Sequence, residues 1–241
     1  MASDTAIFKV QRFDPEVDKL PYLQSYVVPV RRGMSVLEGL IDILDNQDGS
    51  LAFRASCRGA VCGSDAVYIN GAFRLACNTA IAQLLPQEIT ISPLPYMRII
   101  KDLLVDMDPF WAAYERIKPY LINPKTAPER ERYQSPKDRK HIDEMLDCIL
   151  CAACYGSCPM VWSDQVWLGP AAILKAYRFN GDSRDTGQRE RLKVLDNENG
   201  VWRCHTIFNC AEACPKKINV TWSIQALKRQ GVMNRLAFWR K

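Results

Sequence analysis

Histidine is almost missing from this chain of 241 residues: His141 and His205 are the only two, and no glycine-rich phosphate loop accompanies them. With so few general bases and no nucleotide cradle, the chain offers no catalytic constellation of its own. Also missing is an uninterrupted apolar run of about 18 residues, the least that spans a bilayer. Contact with a membrane is therefore expected only through another protein. The opening Met1-Ala-Ser-Asp-Thr lacks the basic start and apolar core of a secretory signal. Nor is there an excess of one charge. The 32 basic residues are interspersed with 27 acidic ones for a net +5, which argues against a nucleic-acid partner and for a solvated or partner-docking surface.

Cysteine, by contrast, is abundant. Ten cysteines without a secretory signal suit a reducing compartment, where thiols persist as metal ligands rather than as disulfides. The run Cys148-Ile-Leu-Cys151-Ala-Ala-Cys154-Tyr-Gly-Ser-Cys158-Pro159 has the C-x2-C-x2-C-x3-C-P spacing of bacterial ferredoxins. There, three cysteines wrap one cubane iron–sulfur cluster and the fourth serves the other cluster of a pair. Four cysteines so close together are too crowded for one tetrahedral zinc, whose ligand pairs come from separated segments. One copy asks for a mate, and Cys204-His-Thr-Ile-Phe-Asn-Cys210-Ala-Glu-Ala-Cys214-Pro215 supplies it with Ile207 where a thiolate belongs. Cross-pairing then gives Cys148, Cys151, Cys154 and Cys214 to a [4Fe–4S] cluster. Cys204, Cys210 and Cys158 remain for a [3Fe–4S] cluster, or for a cubane with one open iron, because an apolar Ile207 cannot ligate.

The remaining three cysteines lie in the first half. Cys57, Cys62 and Cys77 follow the plant-type [2Fe–2S] spacing, and Asp65 occupies the third ligand position. Asp65 reads as an iron ligand, harder than a thiolate; the alternative is a carboxylate that hydrogen-bonds within the loop. By analogy with histidine-for-cysteine replacement, it should raise the potential. Gly59 and Gly63 let the loop hug a cluster.

Around that loop, alternation predicts strands over 7–11, 25–30 and 88–91, and Asn70-Gly71 marks a hairpin between 67–69 and 73–75. A Ser35/Glu38 capping box opens a helix carrying Val36, Leu37, Leu40, Ile41 and Leu44. The expected fold is an α+β β-grasp domain of the plant-type ferredoxin kind over 1–103. An all-α, bacterial-ferredoxin-like two-cluster domain follows over 104–241. Its expected helices carry Phe110 to Ile117, start at Gly169-Pro170 and cover 188–195, with 123–138 a proline-rich surface linker. The basic, aromatic tail Arg235-Leu-Ala-Phe-Trp-Arg-Lys241 reads as a helix end, or as a segment suited to lipid headgroups.

Taken together, Ser56-Cys57 through Asp65, Leu75-Ala-Cys77, both cysteine runs, Gly169-Pro170-Ala171 and Asp182-Ser183-Arg184-Asp185 resemble the iron–sulfur subunit of succinate dehydrogenase and quinol:fumarate reductase. The resemblance covers nearly the whole chain. It implies electron transfer from the FAD of a flavoprotein partner through [2Fe–2S], [4Fe–4S] and [3Fe–4S] clusters to quinone at a membrane anchor, which in some members carries haem b. It implies a peripheral place on the cytoplasmic side of a bacterial membrane. It also implies a quinone site drawn from the residues after the cysteine runs: Pro159, Trp162, Ser163, His205 and Ile207. An indole N–H can donate to a quinone carbonyl and an imidazole can relay a proton, although both residues could equally be ordinary interface packing. A fumarate reductase subunit and a ferredoxin-like carrier serving a soluble oxidoreductase are the other readings of the same residues.

Overall fold

The computed structural model describes residues 5–239, so Arg240 and Lys241 of the basic tail lie outside the described residues. Two compact units divide the chain: Met1–Met107 with Ile149–Ser157, and Asp108–Cys148 with Cys158–Lys241.

The first unit is built on alternation. In β1 (Thr5–Arg12) the side chains of Ala6, Phe8, Val10 and Arg12 point inward, as period-two patterning requires. It pairs antiparallel with β2 (Tyr22–Pro29), Thr5 opposite Pro29 and Arg12 opposite Tyr22. Pairing carries β2 back to Tyr22, three residues before the expected start, because its outer edge needs no alternation to hold register with β1. At Ser35 the expected capping box forms: the Ser35 hydroxyl accepts from the Glu38 amide, and the Glu38 carboxylate accepts from the Ser35 amide at 2.7 Å. It opens α1 (Val36–Asn46), which buries Val36, Leu37, Leu40 and Ile43 against the sheet. A Cβ on Gly39 would lie 2.4 Å from the Phe8 ring, so glycine there sets the helix–sheet distance. Asn70 (φ 46) and Gly71 (φ 80) turn β3 (Ala66–Ile69) into β4 (Ala72–Leu75), the doubly left-handed geometry that Asn-Gly favours. β5 (Ile89–Ser92) lies parallel to β1 and antiparallel to β3, giving the order β2-β1-β5-β3-β4. A two-stranded hairpin of β6 (Ile99–Lys101) and β7 (Leu104–Val105) is too short to show in the sequence pattern.

One buried cation ties these pieces together. Arg12 donates to Asp102 at 2.9 Å, to the Tyr26 hydroxyl, to Ser50 and to Asp48. Asp102 in turn accepts from the amides of Phe13 and Ala52. Buried charge is tolerated only when paired and hydrogen-bonded in this way.

Ile149–Ser157, with a short helix over Ala153–Gly156, joins the first unit through close backbone approaches. A Cβ on Gly156 would sit 3.0 Å from the Pro95 carbonyl oxygen, and one on Gly63 (φ 69) would sit 2.7 Å from Cys151 Cβ. Where the sequence suggests a single boundary at 103/104, the compact units therefore interleave.

The second unit is helical. It contains α2 (Asp108–Arg116), α3 (Pro136–Lys140) and α4 (Asp143–Leu146); after α5, the Ala153–Gly156 turn, come α6 (Pro159–Ser163), α7 (Gly169–Asn180), α8 (Gln188–Leu195), α9 (Asn209–Glu212) and α10 (Val220–Trp239). The expected linker over 123–138 ends in a helix start: Ser135 caps α3 by accepting from the Asp138 amide at 3.1 Å, with Pro136 in the first turn, a combination that favours helix initiation. α10 goes beyond the helix end expected at Arg235, since it begins at Val220. It buries Val220, Ser223, Ile224 and Leu227, and its Trp222 meets Tyr177 of α7 edge-to-face at 5.2 Å. Arg191, fully buried, pairs with Asp185 at 2.8 and 3.0 Å and donates to the carbonyls of Ile117, Lys118 and Tyr120, clamping the 117–122 segment to α8. Among the described residues, no helix is long and apolar enough to cross a membrane.

Candidate metal centres

None of the ten cysteines is joined in a disulfide. In the first unit, Arg58 (φ 55), Ala60 (φ 57) and Gly63 (φ 69) are left-handed. This folds the loop so that its amides turn toward sulfur, an arrangement suited to anions such as clusters. The amides of Gly59, Val61 and Cys62 approach Cys57 Sγ at 3.4, 3.4 and 3.2 Å, and the Ala60 amide approaches Cys77 Sγ at 3.3 Å. These donors bring the Cys57 thiol down to about 6, toward the thiolate that metal binding needs. Burial, with Asp65 close by, pushes Cys77 up to about 11, so its thiolate is favoured only beside a compensating cation.

Asp65 is buried and its Oδ2 accepts from the Cys77 amide at 2.5 Å. Its Oδ1 is buried without a hydrogen-bond partner among the described residues. An orphaned carboxylate oxygen carries a desolvation cost that a metal ion removes. The hydrogen bond within the loop thus takes one oxygen and leaves the other open to a cation, and the residues present fit a [2Fe–2S] group.

The two later cysteine runs share one backbone. In the first, Leu150 (φ 54) and Ala152 (φ 64) are left-handed and α5 starts at Ala153; in the second, Thr206 (φ 59) and Phe208 (φ 71) are left-handed and α9 starts at Asn209. Counted from Cys148 and Cys204, these are the same positions. Ile207 thus stands on the backbone where Cys151 stands in the first run. Cys154 and Cys210, also equivalent, are both buried. Left-handed non-glycine residues cost on the order of 1–3 kcal/mol each, and two copies of the pattern point to one purpose: aiming amides at a cluster.

Within the second unit, Cys158, Cys204 and Cys210 line one pocket with Pro159, Met160, His205, Ile207 and Phe208. The Thr206 amide donates to Cys204 Sγ at 3.4 Å, and Thr221 Oγ1 of α10 lies 3.3 Å from Cys210 Sγ. α10 also anchors this run through Lys228, which donates to the Cys204 carbonyl at 2.7 Å, and Gln225, which donates to Thr206 Oγ1 at 2.8 Å. Burial raises Cys158 and pushes Cys210 up to about 11, again demanding a cationic partner for the thiolates. Among the described residues no three His, Cys, Asp or Glu side chains converge on a single ion, which would hold tetrahedral thiolates about 3.8 Å apart. Three cysteines on one pocket are a donor set of the kind iron–sulfur clusters take.

Of the residues expected around quinone, Pro159, His205 and Ile207 lie together on this pocket. Trp162 and Ser163 belong to α6 and do not line it; Trp162 is 68% exposed, and the Ser163 hydroxyl donates to the Met160 carbonyl at 3.1 Å. Phe208, 51% exposed beside Ile207, belongs to the same apolar rim, and cysteine spacing does not single it out. An exposed phenylalanine next to a missing ligand is the signal that could have found it.

Comparison with known proteins adds an independent line. A model for a 2Fe-2S iron-sulfur cluster binding domain matches residues 7–112, and one for a 4Fe-4S dicluster domain matches 144–218. The chain is 42% identical over 226 residues to the succinate dehydrogenase iron-sulfur subunit of Coxiella burnetii, covering 92% of this chain and 95% of that protein. It is 39% identical over 233 residues to the subunit of the same name from Paracoccus denitrificans, covering 96% and 90%. A chain of the Mycobacterium smegmatis Sdh1 complex in the apo form superposes with a TM-score of 0.87 at 26% identity, covering 98% of each chain.

Proposed function

This chain belongs to the succinate dehydrogenase iron–sulfur subunits and transfers electrons within that oxidoreductase complex, and we propose that it does so on three clusters held by eleven ligands. Cys57, Cys62, Asp65 and Cys77 of the 1–103 module hold [2Fe–2S]. From the two later runs, Cys148, Cys151, Cys154 and Cys214 hold [4Fe–4S], while Cys158, Cys204 and Cys210 hold [3Fe–4S]. Bound there, the clusters supply single-electron transfer from the FAD of a flavoprotein partner to quinone. The chain's own residues bind and orient them: amides in left-handed turns direct hydrogen bonds to the thiolates, and buried cysteines exclude water. At the rim, Pro159, Ile207 and Phe208 offer an apolar seat for a quinone ring with His205 as an exposed N–H donor for its carbonyls, and Trp162, exposed on α6 outside the pocket lining, is a second donor. The subunit sits peripherally on the cytoplasmic face of a bacterial membrane, held by anchor subunits that can carry haem b.

The observation that supports this reading is the shared backbone of the two runs, with Ile207 at the position of Cys151. Electron paramagnetic resonance of the assembled complex tests it. A three-iron signal in the oxidised complex, joined by [2Fe–2S] and [4Fe–4S] signals on reduction, is the expected result. Only four-iron signals from the second unit would overturn the ligand assignment.

A further inference from the structure

Lys175 lies on α7, surrounded by buried Ala171, Ala172, Leu174 and Ala176. Its Nζ turns back to the cysteine run, donating to the carbonyl of Cys148 at 3.1 Å and, more weakly, to that of Met145 at 3.4 Å. No carboxylate among the described residues pairs with it, although the nearby Arg178 has Asp182 at 3.5 Å and Arg191 has Asp185 at 2.8 Å. A partly buried ammonium resting on two carbonyl oxygens has hydrogen bonds but no counter-charge, and a desolvated charge is costly unless paired. Cys148, whose carbonyl it holds, carries a negative charge when its thiolate binds iron.

We propose that Lys175 is the fixed counter-charge of the cluster bound through Cys148 and raises its reduction potential. The inference rests on the ligand assignment given above. Reduction brings one electron from the reduced flavin of the partner subunit to that cluster, breaks no bond and makes the cluster more negative. A cation held beside a ligand therefore stabilises the reduced form more than the oxidised one. Lys175 is a positioning residue: it touches the ligand's main chain and acts on the cluster by its charge and by holding the Cys148 carbonyl.

The test is a redox titration of the assembled complex followed by electron paramagnetic resonance, with the [2Fe–2S] and [3Fe–4S] signals as internal references. In Lys175→Met the [4Fe–4S] midpoint should fall by about tenfold in the reduced-to-oxidised ratio, which is ~59 mV for one electron, while the references stay in place. Lys175→Arg, which keeps the charge, should stay within about twofold of the parent. Lys175→Gln keeps a donor for the carbonyls but no charge and should follow the methionine variant. A loaded cluster with an unshifted midpoint in Lys175→Met or Lys175→Gln overturns the proposal. Loss of the cluster from both neutral variants with retention in Lys175→Arg supports it, and loss from all three overturns it in favour of a steric role. Failure of the underlying assignment is distinguishable, because the unmodified complex would then lack the [4Fe–4S] signal altogether.

Discussion

The cysteine runs beginning at Cys148 and Cys204 differ at one ligand position and are alike in backbone. Both place left-handed residues two and four positions after the first cysteine, both start a short helix one residue later, and both bury the cysteine at the following position. One has Cys151 and the other Ile207. The two runs thus keep one backbone with a thiol or with an isoleucine side chain at that position, and in the proposed assignment the choice between a four-thiolate and a three-thiolate site rests on that single side chain. Ile207 is 46% exposed and Phe208 51% exposed at the pocket rim, so the position without a thiol is also a place where the protein presents an apolar surface.

The strongest way to break the comparison is to remove the difference. Ile207→Cys should convert the second site to a four-thiolate one: the three-iron signal of the oxidised complex disappears, and a four-iron signal of lower potential, by at least ~59 mV or tenfold, replaces it. Persistence of the three-iron signal in the loaded variant would mean that the equivalence of Ile207 and Cys151 is only apparent. A second test concerns what lies against Cys151. In Gly63→Ala a new Cβ at 2.7 Å from Cys151 Cβ, on a residue with φ 69, should destabilise the first unit by about 2–3 kcal/mol, read as a lower urea midpoint for cluster bleaching. Gly59→Ala, whose Cβ would meet nothing closer than the Cys57 carbonyl at 3.7 Å, should change it little.

Ligand chemistry can also be compared across the halves. Asp65→Cys gives the first loop four thiolates, and its [2Fe–2S] cluster should still assemble with a midpoint lower by about 59 mV, a tenfold change; a midpoint that rises or stays refutes a ligating Asp65. The smallest effect is expected far from iron. Hydrogen bonds from Ser50 and Tyr26 and the pairing with Arg12 hold Asp48 below the ordinary carboxylate range. Its contribution is therefore present above the unfolded value near ~3.9 and is lost as pH falls through the lower folded value. The advantage of the parent over Asp48→Asn, about 1 kcal/mol at neutral pH, should shrink below about pH 4 in urea titrations.

Much of the candidate site is legible in residue spacing. Cysteine positions pair the two runs and expose the missing thiolate, because covalent neighbours three or four residues apart can reach one cluster only in a narrow range of turns. Alternation and the Ser35/Glu38 box locate β1 and α1, since both signals act over a few residues. Less local features are not legible in this way. The sequence marks α10 only at its tail, because its buried positions, Val220, Ser223, Ile224 and Leu227, include a serine whose burial depends on the neighbouring helix rather than on its own polarity. Pro136 reads as linker among prolines and charges, and only the Ser135 cap on the Asp138 amide makes it a helix start.

What sequence alone settles about this protein is chemistry: which side chains can bind iron, that Asp65 and Ile207 stand where thiolates are expected, and which family the pattern resembles. These follow from side-chain identity and short spacing. Tertiary structure decided the rest: that the Asp65 carboxylate keeps one oxygen for the Cys77 amide and leaves the other unpaired, that Cys151 lies against Gly63, and that Lys175, 27 residues after Cys148, returns to its carbonyl. Each depends on contacts between segments far apart in the chain, where excluded volume and desolvation choose among arrangements that local sequence leaves equally open.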